Sequence, residues 1–294
     1  MEYVRCALCD SSDYRVLYKE KKKHAGDGRF SLGVPHTCYG RIVACRRCGL
    51  VYVNPRTDRE ELMNQYANAL DVGYSSQMEL RIKTFKRQLR LIENYIPKGR
   101  LLDVGCAAGY FLYVAQKKGW QIEGVEMSRA IAKEAEQLLG TTVRLGTVEE
   151  SEFPSSYFDA VSMFDVIEHL PEPAKTLREI QRILKPGGIL ALNFPDISSV
   201  FAQCMRAHWW FLLEDHLYYF SPGVLTQMLQ VHGFKVLFFR PHWQDMSLMY
   251  LIKFLASFNA PLHRIVLGIA KTLHLEHVAI RYYAGQTTLI AQKI

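Results

Sequence analysis

A short run of small residues follows an apolar segment near the middle of the chain. Gly105, Ala107 and Gly109 come shortly after Asp103 and precede a stretch with helical spacing. Small side chains let another molecule approach the backbone, and free N–H groups at a helix start attract polar ligands. Glu126 ends the next apolar run, about where a second-strand carboxylate accepts hydrogen bonds from a ribose. The pattern predicts a nucleotide-like ligand.

Four cysteines form two C-x-x-C pairs near the start of the chain: Cys6, Cys9, Cys45 and Cys48. Each pair is spaced like a zinc knuckle, in which two thiolates on a tight turn bind one tetrahedral ion. Four thiolates leave no open coordination position, so we predict a structural zinc ribbon rather than a catalytic zinc. Further ligand candidates lie between the pairs: His24, His36 and Cys38.

Composition limits the class of protein. The chain has 294 residues, 49% of them hydrophobic, which is enough for one large α/β domain with additions or for one domain plus a small module. The net charge of +7 is weak support for nucleic acid. The sequence has no apolar run of ~18 residues and no signal peptide, and four of its seven cysteines suit a metal rather than disulfides. We therefore expect a cytoplasmic protein.

Three segments of the chain could position these residues. We predict a zinc-ribbon module over 1–55, a helical linker over 56–96 and a third unit over 97–294. Thr57 and Glu60 are spaced as a capping box that opens the first linker helix. Beyond residue 97 strands and helices alternate, which is typical of a parallel sheet covered by helices. Strands are expected near 100–106, 120–126, 142–146, 158–165, 188–194, 234–240 and 287–293, and helices near 109–118, 128–139, 172–184 and 222–232.

The segment from residue 97 to the end resembles the class I methyltransferases that use S-adenosylmethionine (SAM). Its small-residue turn is similar to their motif I, D-x-G-x-G-x-G, with Ala107 in place of the middle glycine. Tyr110 stands where a nicotinamide-binding loop would have a third glycine. Glu126 and the segments 158–170 and 184–188 also match. The resemblance implies a Rossmann-like α/β sheet of seven strands, the last antiparallel and inserted beside the fifth.

A narrower resemblance comes from the zinc ribbon combined with segment 214–222. Both are similar to bacterial methyltransferases of polysaccharide, deoxysugar and natural-product pathways, in which a zinc head helps to frame the substrate site. The family pattern implies that the cofactor contacts include the following residues of this chain: Asp103, Gly105, Cys106, Ala107, Gly109, Glu126, Met127, Thr147, Val148 and Asp165.

The same resemblance places Asp165, Glu168 and His169 beside the methyl group to be transferred. Methyl transfer requires alignment of donor and acceptor and removal of one proton, which a histidine with a pKa near ~6.5 could take. His216 is the second candidate base. Two alternatives stay open: the three residues bind a divalent metal, as a similar pattern does in ubiquinone-pathway O-methyltransferases, or His169 only supports a helix start. Aromatic residues at 209, 210, 218 and 219 could stack on the acceptor or simply pack.

An apolar region between the last two predicted strands, 246–280, is expected to form a helical insertion. It could cap the active site, form a dimer surface or contact a membrane peripherally. We make no prediction of the oligomeric state.

The leading functional prediction is SAM-dependent methylation of a carbon or oxygen of a small-molecule acceptor, sugar-related or another secondary metabolite. No nucleic acid is expected as a partner. One alternative is an RNA methyltransferase that grips its substrate with the zinc ribbon, although the ribbon lacks the interleaved aromatic and basic residues that stack bases. Another is a non-catalytic zinc-ribbon scaffold.

Overall fold

A computed structural model describes residues 1–21, 31–32, 38–71, 75–255, 260–273, 275 and 278–294. The strands in this part of the chain are β1 (Tyr14–Tyr18), β2 (Ser31–Leu32), β3 (Ile42–Cys45), β4 (Val51–Val53), β5 (Leu70–Asp71), β6 (Arg100–Val104), β7 (Gln121–Glu126), β8 (Arg144–Leu145), β9 (Phe158–Phe164), β10 (Leu184–Pro195), β11 (Tyr218–Tyr219), β12 (Phe234–Ser247) and β13 (Ala279–Lys293). The α-helices are α1 (Arg59–Ala67), α2 (Met78–Glu93), α3 (Tyr110–Lys117), α4 (Arg129–Leu139), α5 (Pro173–Ile183), α6 (Val200–Met205), α7 (Pro222–Val231), α8 (Leu248–Leu255) and α9 (Ala260–Thr272).

The central sheet has the strand order β12-β13-β10-β9-β6-β7-β8. Strands β6 to β10 run parallel, whereas β13 runs antiparallel to both β10 and β12. This order confirms the predicted seven-stranded, Rossmann-like sheet with its last strand inserted beside the fifth. Because β6 to β10 are parallel, their carboxyl ends meet at one edge, where open α/β sheets bind ligands.

Local sequence explains the element boundaries. Residues 101–104 of β6 are all buried, as expected for a strand with helices on both faces. The Ser128 hydroxyl caps α4 by accepting a hydrogen bond from the N–H of Ile131, and Gly140 ends that helix in the left-handed conformation, at φ +66°. The predicted helices agree with α3, α4, α5 and α7 to within one residue at each end.

Two predicted strands are too short. The sequence predicted 234–240 and 287–293, but β12 and β13 extend to Phe234–Ser247 and Ala279–Lys293. Beyond the end of β10, the two strands continue to pair with each other, and we call this two-stranded extension the β12–β13 ribbon. The predicted strands covered only the part of β12 and β13 nearer the sheet. β10 also begins earlier than predicted, because Leu184 already pairs with Phe158 before an irregular stretch.

The N-terminal residues form a second sheet in the order β1-β3-β4-β11, with every pair antiparallel. Its last strand, β11, comes from the segment after the fifth strand of the central sheet. One hydrophobic cluster joins Leu50 and Tyr52 of the ribbon to Leu217 and Phe220. The segments 1–55 and 97–294 therefore share a hydrophobic core. The division into 1–55, 56–96 and 97–294 stays a prediction.

The linker contributes α1 and α2. The capping-box prediction is wrong in its residue, because Asp58 rather than Thr57 is the N-cap and accepts a hydrogen bond from the N–H of Glu61. α2 buries Leu89 and Ile92 against the central sheet.

The predicted insertion forms the helical pair α8 and α9 at the end of the β12–β13 ribbon. Residues 256–259, 274, 276 and 277 of the insertion lie outside the described residues. Within the described ranges, we find no helix that combines the length and the apolar character needed to cross a bilayer.

Candidate active site and metal centre

A cleft of about 360 Å³ opens at the carboxyl edge of the central sheet. One part, here called the cofactor half, includes these predicted residues: Asp103, Gly105, Cys106, Ala107, Glu126, Met127, Thr147 and Val148. The other part, here called the acceptor half, includes Tyr66, Phe85, Phe164, Asp165, His169, Asp215 and His216. The structure thus brings most of the predicted site residues into one cavity.

The turn after β6 explains the small residues there. Gly105 has φ +68°, and a Cβ atom built on it would lie only 2.7 Å from Val166 Cγ2. Glycine is therefore required by both the backbone conformation and the available space. Ala107 also adopts a left-handed conformation, at φ +46°, and its N–H donates a 3.0 Å hydrogen bond to Glu126 Oε2.

Two carboxyl groups face the cofactor half: Asp103, which is buried, and Glu126, which is partly buried. Glu126 Oε1 accepts a 2.9 Å hydrogen bond from the N–H of Ser128, so both of its oxygens contact backbone donors. Burial raises the pKa of Glu126, although hydrogen bonds from the N–H groups of Ser128, Ala107 and Met127 oppose that rise. Burial also raises the pKa of Asp103 to about 7; the 2.7 Å hydrogen bond from the Ser162 hydroxyl lowers it, and the Glu126 charge raises it.

The chemistry of these groups fits SAM. A carboxylate shielded from water is more stable when it accepts hydrogen bonds from hydroxyl or ammonium groups than when it faces apolar surroundings. SAM carries both kinds of donor, a ribose diol and an α-ammonium group. The glycine at 105 leaves backbone accessible beside them. Burial raises the pKa of the Cys106 thiol well above its usual value, so its uncharged form suits a wall of the cavity.

Gly109 is the predicted cofactor residue that does not line the cleft. It precedes α3 with φ +79°, and a Cβ there would lie 3.1 Å from both Ala135 Cβ and Leu139 Cδ1. Its role in the structure is the close packing of α3 against α4. The small-residue pattern could not distinguish a glycine that faces the ligand from one that faces a helix.

In the acceptor half, His169 lies at the centre of a polar cluster. Its Nδ1 is 3.0 Å from the backbone oxygen of Asp215, 3.0 Å from the Tyr66 hydroxyl and 3.5 Å from the Asp215 carboxylate. Because a carbonyl oxygen only accepts hydrogen bonds, we assign the proton of the neutral ring to Nδ1. The Nε2 lone pair is then the one that could take a proton from the molecule to be methylated.

His216 packs edge-on against His169, with the ring centroids 4.6 Å apart. Its Nδ1 lies 2.9 Å from the backbone oxygen of Phe211, which again assigns the proton to Nδ1. Burial and the neighbouring His169 lower the pKa of His216 to about 4. It therefore stays neutral near pH 7.

Asp165 and Glu168 occupy different surroundings. Asp165 Oδ1 accepts hydrogen bonds from Asn193 Nδ2 at 2.8 Å and Gln286 Nε2 at 2.6 Å, which hold it toward β10 and β13. Glu168 is buried behind the cleft wall, and its Oε2 has no hydrogen-bond partner among the described residues. Burial, together with the Asp165 charge, raises its pKa well above the usual value. Glu168, His169 and His216 have metal-compatible spacing, and Asp165 does not join that group.

Sequence reasoning missed four residues of the acceptor half: Tyr66, Phe85, Phe164 and Asp215. Tyr66 comes from α1 and Phe85 from α2, and neither stretch carries a signal that distinguishes it from an ordinary amphipathic helix. The Phe85 and Phe164 rings pack with centroids 5.8 Å apart, giving this half an aromatic surface. Asp215 stands beside His216 in segment 214–222, so that segment was the available signal for it.

The aromatic residues after the fifth strand have a packing role. Tyr218 and Tyr219 form β11 and pair with β4, and Trp209 is buried in a cluster with Ile42 and Tyr219. These three side chains do not line the cleft described above. Their ordinary packing role, which the sequence left open, is the one the structure supports.

The four ribbon cysteines converge. Cys6 Sγ lies 3.4 Å from Cys48 Sγ, Cys9 Sγ lies 3.5 Å from Cys45 Sγ, and all four sulfur atoms are within 4.8 Å of one another. Zn–S bonds of about 2.3 Å in a tetrahedron separate sulfur atoms by about 3.8 Å, so the set fits zinc. Cys38 lies instead near Glu214, with Sγ 3.5 Å from its Oε2, and His24 and His36 lie outside the described residues.

Backbone hydrogen bonds also suit a thiolate at one of these positions. Burial would raise the pKa of Cys45, but hydrogen bonds from the N–H groups of Cys48 and Arg47 help to lower it to about 7. The second knuckle closes with a 3.1 Å hydrogen bond from the N–H of Gly49 to the Cys45 oxygen. The first closes in the same way from Asp10 to Cys6.

Comparison with known proteins agrees with this geometry. A family model described as a methyltransferase domain matches residues 74–237, more than half of the chain. The solved structure of a SAM-dependent methyltransferase from Archaeoglobus fulgidus superposes with a TM-score of 0.53 and 20% identity, over 76% of this chain and 100% of that one. A SAM-dependent methyltransferase from Thermotoga maritima gives 0.51 and 20%, over 75% and 95%.

Curated relatives match over shorter stretches. A ubiquinone biosynthesis O-methyltransferase from Alkalilimnicola ehrlichii is 35% identical over 95 residues, which are 30% of this chain and 38% of the relative. Its counterpart from Coxiella burnetii is 27% identical over 173 residues, 54% and 70% of the two chains. The chain spans less than half the length of the Alkalilimnicola relative and of one from Xanthomonas campestris, of which it covers 44%.

Fold, cleft and family match define a class I methyltransferase. The chain belongs to the methyltransferase-domain family, and it shares the fold of solved SAM-dependent methyltransferases.

Proposed function

We propose that this enzyme transfers the methyl group of SAM to an oxygen or carbon of a small-molecule acceptor, either sugar-related or another secondary metabolite. The observation that carries the proposal is the pairing of His169 with Asp215 in a cleft half lined by aromatic rings. The names of the curated relatives favour an oxygen as the accepting atom.

Cofactor binding is assigned to the acids Glu126 and Asp103. Glu126 would accept hydrogen bonds from both ribose hydroxyls, and Asp103 would accept one from the ammonium group. Gly105, Cys106 and Ala107 surround the methionine portion in this proposal. Met127, Thr147 and Val148 line the remaining wall and are assigned to the adenine. Bound SAM supplies an electrophilic methyl carbon next to a cationic leaving group.

His169 is the proposed general base. Its Nε2 removes the acceptor proton, and the Asp215 carboxylate near Nδ1 stabilises the imidazolium that results. His216 is the weaker candidate, because burial disfavours its protonated form. Phe85 and Phe164 offer an aromatic surface for a planar or sugar-ring acceptor. Asp165 is assigned to holding the turn after β9 through Asn193.

The zinc ribbon has a structural role in this proposal. A zinc ion bound by Cys6, Cys9, Cys45 and Cys48 would fix a module too small to fold on its own core. Because β4 of the ribbon pairs with β11, which directly follows His216, that ion supports the acceptor half.

Substitution of His169 by asparagine tests the proposal. Release of S-adenosylhomocysteine would be followed with a panel of phenols and sugar nucleotides. We expect turnover of His169→Asn to fall by roughly 10²–10⁴, while SAM affinity in calorimetry stays within about twofold. His216→Asn should have a smaller effect, and the remote His232→Asn none.

Two outcomes would contradict the proposal. Wild-type turnover by His169→Asn would remove this residue as the base. A wild-type protein that binds neither SAM nor S-adenosylhomocysteine would instead support the non-catalytic scaffold.

A further inference from the structure

The β12–β13 ribbon carries its helices away from the central sheet. β13 pairs with β10 from Gln286 onward, whereas the stretch from Ala279 to Tyr283 pairs with β12. Because β13 is antiparallel to β10, this free stretch lies beyond the carboxyl end of β10. The ribbon and its α8–α9 pair therefore project from the same edge of the sheet as the cleft.

One side of α9 exposes apolar side chains. Leu262, Ile265 and Ile269 recur at steps of three and four, and Leu273 continues the row just after the helix. Ile265 is 62% exposed and Ile269 is 54% exposed. An adjacent side of the helix includes Ala270, which is buried, and α8 packs against α9. These four residues, here called the α9 row, form an apolar surface on an amphipathic helix.

The sequence around the α9 row carries more cations than acids. Between residues 246 and 280 it contains Lys253, Arg264 and Lys271 but a single acid, Glu276. Arg264 and Lys271 are exposed on the polar side of α9. An apolar face with a cationic polar face is the pattern of helices that lie in the surface of an anionic membrane.

The ribbon next to the helices carries residues typical of a membrane interface. Trp243 is 43% exposed and pairs across the ribbon with Tyr283, with ring centroids 5.7 Å apart. The Arg281 guanidinium lies 5.7 Å from the Trp243 ring centroid. This group is four residue pairs from the start of α8, or about 13 Å along the strands. Tryptophan, tyrosine and arginine are all favoured at headgroup depth.

We propose that the α8–α9 pair docks on an anionic phospholipid surface, with the α9 row among the acyl chains and Arg264 and Lys271 among the headgroups. A second copy of the chain fits less well, because the segment 246–280 has three Lys and Arg residues to one acid, and a two-fold contact would bring these cations together. The inference goes beyond the proposed function and does not depend on it.

Vesicle co-sedimentation of the full chain tests the inference. The wild-type protein should bind vesicles of mixed phosphatidylglycerol and phosphatidylcholine, and it should dissociate from them as the salt concentration is raised. It should not bind vesicles of phosphatidylcholine alone. Ile265→Gln/Ile269→Gln should lower the partition coefficient by about tenfold or more. Arg264→Gln/Lys271→Gln should remove the preference for anionic vesicles. Val231→Gln, a change at an exposed valine on α7, is the matched control and should bind like the wild type.

Calorimetry with SAM confirms that each variant is folded and keeps the result separate from the proposed chemistry. The inference is overturned if wild-type protein ignores anionic vesicles, or if the isoleucine variant binds as well as Val231→Gln. Sedimentation velocity that shows a wild-type dimer and a monomeric isoleucine variant would assign the row to self-association instead.

Discussion

The two halves of the cleft are built in different ways. In the cofactor half, Glu126 is held by backbone N–H groups of residues 107 and 128, at consecutive strand ends. In the acceptor half, His169 is held by Tyr66 from α1 and by Asp215 from the segment before β11. The first half depends on local backbone geometry. The second depends on how the N-terminal segments dock against the central sheet.

This difference assigns separate roles to the N-terminal ribbon and the central sheet. The ribbon contacts the acceptor half through the β4–β11 pair, and the linker contributes Tyr66 and Phe85. Changes in the N-terminal segments should therefore affect the acceptor, and changes in the turn after β6 should affect SAM. Variants in each half can test whether the two functions separate.

The largest effect is expected from loss of the metal. Cys9→Ser/Cys48→Ser should release zinc, measured by elemental analysis, and thereby loosen β4 and its pairing with β11. We expect turnover to fall to background while calorimetry still gives a SAM dissociation constant within about threefold of wild type. Cys204→Ser, at an exposed cysteine outside the cluster, is the control and should change neither. A parallel loss of SAM affinity would show that the halves do not separate.

In the cofactor half, Gly105→Ala should have the next largest effect. A left-handed conformation costs a non-glycine residue about 1–2 kcal/mol, and the new Cβ would also lie 2.7 Å from Val166 Cγ2. Rearrangement of the turn should weaken SAM binding on the order of 50-fold.

Gly140→Ala is the matched control for that variant. Gly140 has φ +66° with open space around it, so it carries the same backbone cost without a clash and lies at the end of α4. It should lower the melting temperature slightly and leave the SAM dissociation constant unchanged. Equal loss of affinity in both variants would mean that global stability, not the turn, limits binding.

The same contrast explains what could be predicted from the sequence. Asp103 and Glu126 were predictable because a strand, a turn and a helix in series place them within one short segment each. The capping residue Asp58 was mispredicted, and the packing of Gly109 against α4 was not foreseen, since spacing alone does not show which neighbour a residue contacts. Tyr66 could not be predicted, because its place beside His169 results from the docking of α1, a contact between segments about 100 residues apart.

Titration of Asp103 should produce a pH effect in the cofactor half. Burial raises its pKa from 3.8 to about 7. The carboxyl is therefore mostly protonated below this pH and becomes an anion as the pH rises through it. A cationic ligand binds the anion, so SAM affinity should rise roughly eightfold to tenfold between about pH 6 and about pH 7.5.

Calorimetry with Asp103→Asn provides the reference for this measurement. The variant cannot ionise at 103, so its remaining pH dependence reports the titration of SAM and of other protein groups such as Glu126. Wild-type binding should also release protons, seen as a dependence of the heat on the buffer. The same pH profile for both proteins would contradict the assignment of Asp103 to the ammonium group.

Tyr66→Phe should have the smallest effect, and it tests the acceptor half without changing its shape. The hydroxyl lies 3.0 Å from His169 Nδ1 and donates a 3.2 Å hydrogen bond to the Asp215 oxygen. Loss of a net hydrogen-bond contribution of about 1 kcal/mol corresponds to about a fivefold fall in turnover, with SAM affinity unchanged. Tyr95→Phe, at an exposed tyrosine after α2, is the control. If the contact with His169 carries the effect of Tyr66, the substitution should have no further effect in a His169→Asn background. Additive losses in the double variant would place Tyr66 against the acceptor itself rather than behind the base.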